Sequence, residues 1–386
     1  ELDEVLDQML SMLSSANAGV AAAALSTVGA MLEHYAGYGQ RFHEDRRTLD
    51  DRRRRMASLL LKGLSFPQEE VRQEALRVLG ERVFASPVLS WEDKRELFTL
   101  MAKKILCLLH EQPEQELTFF YTAAMLSHMY RFIVSNRVQG APFPSQDREK
   151  VAFFPGTFDP FSLSHKGIVQ AIRDLGCEVY LAIDEFSWSK KAQPSLVRRQ
   201  IVNMSVADAF DVYLFPHDIP VNLASPQDLD RLRQVFSGRE LYLAVGSDVV
   251  ANASSYRAPP AEGSVHHLNH IVFRRSSDAE GREISADLSR ILGDVITLRL
   301  PTHLEDISST RIRENIDLGR DISSLVDPTV QDYIFRGSLY LREPQYKQII
   351  RASYLSFAFE PASPTLWEEL RACLPGAPPP DPRDEV

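Results

Sequence analysis

The chain has 386 residues, of which 44% are apolar and 25% are charged, and its formal net charge is −10. This length is sufficient for two domains or more, and the composition excludes a disordered or fibrous protein. The negative charge argues against broad nucleic-acid binding, so no nucleic-acid partner is expected.

The cysteines and the apolar runs indicate a cytoplasmic protein. Three widely spaced cysteines exclude a disulfide framework and indicate a reducing compartment. No apolar run reaches about 18 residues, so no membrane span is expected. The first residues show no secretory pattern.

Residues 1–137 are predicted to be entirely helical. Apolar residues recur at helical spacing in "LDEVLDQMLSML" and "RRMASLLLKGL". Ser90 is a suitable N-cap for the helix "WEDKRELFTLMAKKILCLL". The segment "ELTFFYTAAMLSHMYRFIV" is apolar on much of its surface, which predicts a buried helix. The charged run at 50–55, "DDRRRR", is predicted to be a solvated face or loop.

An internal repeat with a constant offset of 51 residues lies within this helical part. The matching pairs are Leu13 and Leu64, Val20 and Val71, Ala24 and Ala75, Leu25 and Leu76, Val28 and Leu79, and Gly29 and Gly80. The second copy, "LSFPQEEVRQEALRVLG", resembles a HEAT repeat, which implies stacked helix pairs and a surface for a protein partner. A plain helical bundle is the alternative.

The pattern of apolar residues changes after a predicted linker at 138–149, where glycine, prolines and charges break the helical pattern. Six short β-like runs then alternate with helices: "VAFF", "EVYLAI", "DVYLF", "LYLAV", "HIVF" and "VITLRL". The alternation predicts a Rossmann-like α/β domain at 150–342 with a parallel, doubly wound sheet. Its ligands should bind beyond the carboxyl ends of the strands. Residues 343–386 are predicted to be a C-terminal extension with a Pro-rich end.

The stretch "PGTFDPFSLSH" links the first strand to a helix. Gly156 permits a tight turn close to a ligand. Backbone N–H groups of such a turn, together with the helix start, form an anion cradle. His165 lies in the first helical turn, where it can bind a phosphate and stabilise developing charge.

A second stretch, "ISSTRIRE", offers a further anion site. Ser308, Ser309 and Thr310 place hydroxyl groups at a helix start. Arg313 follows Thr310 by three residues and can reach the same phosphates.

Both stretches resemble signatures of the HxGH-type nucleotidyltransferase superfamily. Six positions of "GTFDPFSLSH" match the pattern G-x-F-D-P-x-H-x-G-H, and "ISSTRIR" matches I-S-S-T-x-I-R. The segment "LAVGSD", with Gly246 and Asp248, and the segment "HIVFRRS" are similar to bacterial nicotinate-nucleotide adenylyltransferases. The resemblance covers residues 150–341, half of the chain.

The resemblance implies attack of a small-molecule phosphate on the α-phosphate of ATP, with Mg²⁺ and release of pyrophosphate. It implies that Gly156, Thr157, Phe158 and His165 hold the ATP phosphates, with Gly246 and Asp248 near the nucleotide. It also implies that Ser308, Ser309, Thr310 and Arg313 hold the β- and γ-phosphates. Lys190 and Lys191 stand where a basic phosphate contact is common in the family; a solvated loop is the alternative.

The first signature departs from the family at two positions. Ser162 stands where the family has its first histidine, and Ser164 where it has a glycine. Ser162 can still donate one hydrogen bond but carries no positive charge. The site is therefore expected either to turn over slowly or to bind ATP without turnover.

The acceptor side departs as well. The Ser-Tyr-Thr turn and the tryptophan usual in nicotinate-nucleotide enzymes are absent from "NLASPQDL" and "ANASSYRAPP". Tyr256 either stacks on a ring or packs in the core. His266 and His270 have a spacing that suits zinc on a helix, but "HIVF" reads as a strand, so no metal ligands are assigned.

Three functions follow from these residues. The first is adenylyl transfer to a nicotinate mononucleotide-like acceptor. The second is a nucleotide-binding module whose helical domain meets a protein partner. The third is adenylyl or cytidylyl transfer to another phosphorylated small molecule.

Overall fold

The computed structural model describes residues 2–15, 17–111, 116–140, 142–143, 147–184, 192–274 and 288–341. The C-terminal extension predicted at 343–386 lies outside the described residues. The N-terminal region holds helices α1 (Leu2–Leu13), α2 (Ala18–Arg41), α3 (Arg46–Leu64), α4 (Glu69–Val78), α5 (Trp91–His110) and α6 (Glu116–Val138). Among the described helices, none combines the length and apolar character needed to cross a membrane.

Side-chain caps explain where several of these helices begin. The Asn17 side chain accepts hydrogen bonds from the backbone N–H groups of Gly19 and Val20 at the start of α2. The Ser90 hydroxyl accepts one from the Asp93 N–H at 3.1 Å, which confirms the predicted cap of α5.

The helices of this region pack in two layers. Helices α1, α3 and α5 contact one another in succession, and so do α2, α4 and α6. The repeated residues fill the interior between the layers: Leu13, Leu64, Leu25 and Leu76 are each at most 1% exposed. The two copies of the sequence repeat therefore place matching side chains in one continuous core.

Close contact between α2 and α4 depends on Gly29. A Cβ at this position would lie 2.2 Å from Cγ1 of Val78. We therefore expect Gly29→Ala to lower the free energy of unfolding by about 1–3 kcal/mol, because overpacking outweighs the better helix propensity of alanine. Gly37→Ala, on the same helix but facing open space, should instead add about 0.5–1 kcal/mol. Urea denaturation measures both, and a stabilising Gly29→Ala would contradict the close approach.

The expectation that α6 is buried is wrong. Phe119, Phe120 and Tyr130 are 62%, 63% and 66% exposed. The opposite side of α6, including Met125 and Phe132, is buried. The physical reason is position: α6 is covered by α4 and the turn after it, and no described helix packs on its outer face.

The charged run at 50–55 belongs to helix α3 and lies at contacts with other helices. Arg52 binds the Asp3 carboxylate of α1 at 2.6 Å, and Arg53 binds Asp93 of α5 at the same distance. The solvated face expected from the sequence is thus partly a set of ion pairs between helices.

The second part of the chain is a parallel six-stranded sheet, as predicted. Its strands are β1 (Lys150–Gly156), β2 (Cys177–Ile183), β3 (Val212–Leu214), β4 (Glu240–Gly246), β5 (Asn269–Arg274) and β6 (Val295–Arg299), in the order β3-β2-β1-β4-β5-β6. All six predicted strands are confirmed.

Helices cover both faces of the sheet. These helices are α7 (Leu163–Asp174), α8 (Ser195–Val206), α9 (Pro226–Val235), α10 (Ser247–Asn252), α11 (Ser254–Arg257), α12 (Thr302–Glu305), α13 (Ser309–Asp317) and α14 (Pro328–Arg336). Alternate residues of β1 enter different cores: Ala152 and Phe154 pack with α7, α8, α13 and α14, whereas Val151 and Phe153 pack with α9 to α11. This alternation confirms the doubly wound arrangement.

Two lysines of the helical region cap the carboxyl end of α8. Lys62 Nζ donates to the Met204 carbonyl, and Lys104 Nζ donates to the Val206 carbonyl at 2.7 Å. Helix α8 has no basic residue in its own last turn, so these lysines satisfy carbonyls that the helix leaves open. Burial lowers the pKa of Lys104 to about 7. The helical region and the sheet domain thus share a polar, buried interface.

Candidate functional site

A cavity of about 790 Å³ opens at the carboxyl end of the sheet. It lies beyond β1 and β4, between which the order of the strands reverses, and α/β sheets bind ligands at such a point. Its wall includes residues 154–159 at the end of β1 and beyond, 215–217 and 219–224 after β3, 245, 246, 248 and 249 at the end of β4 and beyond, and three residues of α13.

The turn after β1 needs its glycine. A Cβ at Gly156 would lie 2.7 Å from the Phe158 ring, and Phe158 itself has a φ of +47°, in the left-handed region. The Thr157 carbonyl accepts a hydrogen bond from Arg198 Nη1 at 2.8 Å. Gly156, Thr157 and Phe158 all line the cavity.

His165 is oriented by the start of α7. Its Nδ1 accepts a hydrogen bond from the Ser162 backbone N–H at 3.0 Å, so in the neutral ring the proton resides on Nε2. The imidazole packs against the rings of Phe158 and Phe161 at centroid distances of 5.3 and 5.2 Å. His165 lines the cavity and can act there as an Nε2–H donor.

Ser162 is the N-cap of α7. Its hydroxyl accepts from the His165 N–H at 3.3 Å and lies 2.9 Å from His165 Nδ1, which completes a capping box. Ser162 is 2% exposed and is not part of the cavity wall. Ser164, the other departure from the family pattern, is buried and does line the cavity.

The two sequence signatures bind each other. The Ser309 hydroxyl donates to the Pro160 carbonyl at 2.9 Å. Arg313 Nη1 donates to the Asp159 carbonyl and lies 3.6 Å from the Asp159 carboxylate, and Nη2 donates to the Thr310 hydroxyl at 3.3 Å. Residues about 150 positions apart thereby form one polar wall.

Within the second signature, the hydroxyl residues have different positions. Ser308 caps α13, because its hydroxyl accepts from the Arg311 N–H at 3.2 Å. Ser308 lies outside the cavity wall, whereas Ser309, Thr310 and Arg313 are part of it.

Tyr340 is buried next to Asp159 of this polar wall. Burial and the nearby Asp159 carboxylate raise the pKa of the Tyr340 phenol well above its ordinary value. The phenol is therefore neutral at physiological pH.

The structure describes two of the four remaining predicted site residues. Gly246 and Asp248 line the cavity after β4, and a Cβ at Gly246 would lie 2.3 Å from Asp248 Oδ1. Lys190 and Lys191 lie outside the described residues.

Part of the cavity wall is held in place by the helical region, a contact that no sequence pattern predicts. Arg199, at the start of α8, lines the cavity and bonds through Nε to the Glu111 carboxylate at 2.8 Å. His217 also lines the cavity, and its ring stacks on His110 at a centroid distance of 5.8 Å. The partners of these two contacts lie 88 and 107 positions apart in the sequence, so no local spacing predicted them.

Tyr256, His266 and His270 form a buried cluster on the other face of the sheet. The Tyr256 hydroxyl lies 2.8 Å from His270 Nε2, and both histidines are fully buried. Burial lowers the pKa of His270 to about 4, so its ring is neutral. These contacts make Tyr256 a core residue. Within the described ranges, no three His, Cys, Asp or Glu side chains cluster as metal ligands would.

Comparisons with known proteins concern the sheet domain. Residues 153–315 match the cytidylyltransferase-like family model. A probable nicotinate-nucleotide adenylyltransferase of Caldicellulosiruptor bescii is 27% identical over 201 residues, which cover 50% of this chain and 100% of that protein. One of Neisseria meningitidis serogroup B is 26% identical, covering 50% of this chain and 98% of its own.

A solved structure also matches this half of the chain. It is the Plasmodium falciparum nicotinic acid mononucleotide adenylyltransferase complexed with NaAD, at 17% identity and a TM-score of 0.42. The match covers 50% of this chain and 97% of that one.

Proposed function

We propose that this chain, whose residues 153–315 form a cytidylyltransferase-like nucleotidyltransferase domain, transfers AMP from ATP to a nicotinate mononucleotide-like phosphate. The observation that carries the proposal is the convergence of the 156–158 turn, His165 and Arg313 on one cavity at the strand-order reversal. The relatives named nicotinate-nucleotide adenylyltransferase support this choice of donor and acceptor.

The chemistry requires positioning rather than a protein nucleophile. A phosphate oxygen of the acceptor attacks the α-phosphorus of ATP, a new P–O bond forms, and the bond to the β-phosphate oxygen breaks, so that pyrophosphate leaves. His165 would donate its Nε2–H to an α-phosphate oxygen as charge develops there. Arg313 and the start of α13 would hold the β- and γ-phosphates, which carry the charge of the leaving group.

Mg²⁺ would enter with the nucleotide. It is usually held by substrate phosphates together with one or two carboxylates, and bound in that way it would neutralise phosphate charge. The cavity wall offers the carboxylates of Asp184 and Asp248 as separate groups. This donor set fits an ion that arrives on ATP better than a resident metal.

The test is pyrophosphate release from ATP and Mg²⁺ with a panel of acceptors that includes nicotinate mononucleotide and nicotinamide mononucleotide. We expect turnover with nicotinate mononucleotide, and a loss of about 10²–10³ in kcat for His165→Ala because one donor to the developing charge is removed. His267→Ala, an exposed histidine outside the cavity wall, is the control. An arm with CTP in place of ATP separates adenylyl from cytidylyl transfer. Equal rates for both histidine variants would contradict the proposed site.

A second candidate function is nucleotide binding without transfer. It is favoured by Ser162, whose hydroxyl is engaged in the cap of α7 and does not line the cavity. This candidate requires ATP to bind while no acceptor in the panel reacts. Ser162→His would then be expected to raise turnover, because it supplies the second histidine of the family pattern. Turnover by the wild-type chain would exclude this candidate.

We also propose that the helical region is HEAT-like. The succession of α1, α3 and α5 in one layer and α2, α4 and α6 in the other supports stacked helix pairs. The burial of matching residues of the two repeats supports the same arrangement.

A further inference from the structure

Arg199 has one guanidinium nitrogen available for a ligand. The residue is 6% exposed and lies in the cavity wall. Its Nε and Nη2 bind the two Glu111 oxygens, and Nη2 also donates to the Phe215 carbonyl at 3.1 Å. Nη1 has no hydrogen-bond partner within the described ranges. Because Arg199 lines the cavity, this charged N–H donor can bind an acceptor atom of a ligand there.

Glu111 belongs to the helical region and holds Arg199 in place. The side chains of the two residues are 8% and 7% exposed. Two parallel N–H···O bonds fix the plane of a guanidinium as well as its position. The stacked rings of His110 and His217 form a second contact between the end of α5 and the cavity wall. The helical region thus supports this wall through residues that do not themselves line the cavity.

Arg199 is too far from the phosphate turn to serve the same phosphates. Phe215, which it contacts, follows β3, while the phosphate turn follows β1, and β2 lies between them. Adjacent strands are about 4.8 Å apart, so the two places are separated by about 10 Å. A mononucleotide whose phosphate lies beyond β1 and extends toward β3 would bring its base to Arg199. Because Glu111 balances the charge of Arg199, a carbonyl oxygen suffices as the acceptor and a full negative charge is unnecessary.

We propose that Arg199 Nη1 binds the exocyclic carbonyl or carboxylate oxygen on the base of the acceptor, and that Glu111 is a positioning residue for Arg199. The inference rests on the proposed function and names the group that the acceptor must carry. It selects pyridine mononucleotides with a carboxylate or carboxamide over the unsubstituted ring, because a site built to hydrogen-bond a group rejects the analogue without it.

The test is equilibrium binding by calorimetry, which does not require turnover. The probes are nicotinate mononucleotide, nicotinamide mononucleotide and the unsubstituted pyridine mononucleotide, each with a non-hydrolysable ATP analogue present, and the analogue alone. The variants are Arg199→Lys and Glu111→Gln, which keeps an accepting oxygen. The control is Lys103→Gln, which breaks another ion pair between the two regions, with Glu178, away from the cavity wall.

We expect both variants to bind the two substituted mononucleotides about 10- to 100-fold more weakly, as for loss of a hydrogen bond from a charged donor. Binding of the unsubstituted mononucleotide and of the ATP analogue should stay within about twofold, and Lys103→Gln should match the wild type throughout. Unchanged binding of the substituted probes, or equal weakening of all three mononucleotides, overturns the inference and leaves the proposed function standing. A wild-type chain that binds the ATP analogue and no mononucleotide overturns the proposed acceptor and the inference together.

Discussion

Arg313→Gln is expected to lower kcat/KM for ATP by about 10²–10³. Arg313 binds the Asp159 carbonyl and the Thr310 hydroxyl, and its guanidinium lies 3.6 Å from the Asp159 carboxylate. It therefore holds the loop after β1 against α13 and places a positive charge at the proposed phosphate site. Glutamine can replace one of these hydrogen bonds but none of the charge, so leaving-group stabilisation should be lost along with loop position.

Arg311→Gln is the matched control for this prediction. Arg311 lies two residues before Arg313 in α13 and is exposed, and its guanidinium donates to the Asp306 carbonyl at 3.1 Å, outside the cavity. Steady-state kinetics of both variants with varied ATP should show a loss confined to Arg313→Gln. Equal losses of kcat/KM in the two variants would mean that ATP is attracted by the overall positive charge near α13 and not by the positioned guanidinium of Arg313.

The sequence predicted those parts of the molecule that depend on local patterns. All six strands were found from apolar runs, and the Ser90 cap from one side chain and the three residues after it. The sequence also predicted that the two signatures lie at one site, because alternating strands and helices place their connections at the same edge of a sheet. The direct contact between Arg313 and Asp159 could not be predicted, because the spacing of residues along the sequence carries no information about it.

The features of the fold and of the site that the sequence did not predict depend on contacts between distant segments. The apolar composition of α6 predicted burial, but burial depends on whether another helix covers its outer face, and composition does not contain that information. The "VRRQ" segment gave no sign that Arg199 would meet Glu111 from the helical region. The family pattern marks Ser162 only as the replacement of a histidine, whereas its hydroxyl caps α7 and contacts His165.

Asp327→Asn is expected to lower the free energy of unfolding by about 2 kcal/mol at neutral pH. The Asp327 carboxylate binds Lys62 of the helical region at 2.9 Å, and the side chains are 7% and 8% exposed. It also lies 3.4 Å from Lys166. Asparagine is an equally good N-cap for α14, so the substitution keeps the cap and removes only the charge. In the described part of the chain, no other carboxylate pairs with Lys62, whose buried charge would then be uncompensated.

The pH dependence of this effect has a definite sign. Burial alone would raise the pKa of Asp327, but Lys62 and Lys166 outweigh burial and lower it to about 2 from an ordinary 3.8. A carboxyl group with a lowered folded-state pKa stabilises the fold above its unfolded pKa and loses that contribution as pH falls toward the folded value. The contribution, about 2 kcal/mol, is thus complete above about pH 4 and declines between pH 4 and pH 2.

Urea denaturation of the wild type and Asp327→Asn from pH 7 to pH 3 tests both parts of this prediction. The difference in free energy of unfolding should be largest at neutral pH and should shrink below about pH 4, because protonated Asp327 resembles asparagine. Asp230→Asn is the control: it breaks an exposed ion pair with Arg233 and should cost less than about 1 kcal/mol. A small, pH-independent cost at Asp327 would mean that the helical region and the sheet domain are held together without this ion pair. A cost of about 2 kcal/mol that follows the titration would show that the ion pair between Asp327 and Lys62 helps to hold the two regions together. Lys62 also donates to the Met204 carbonyl of α8, the helix that carries Arg199 to the cavity.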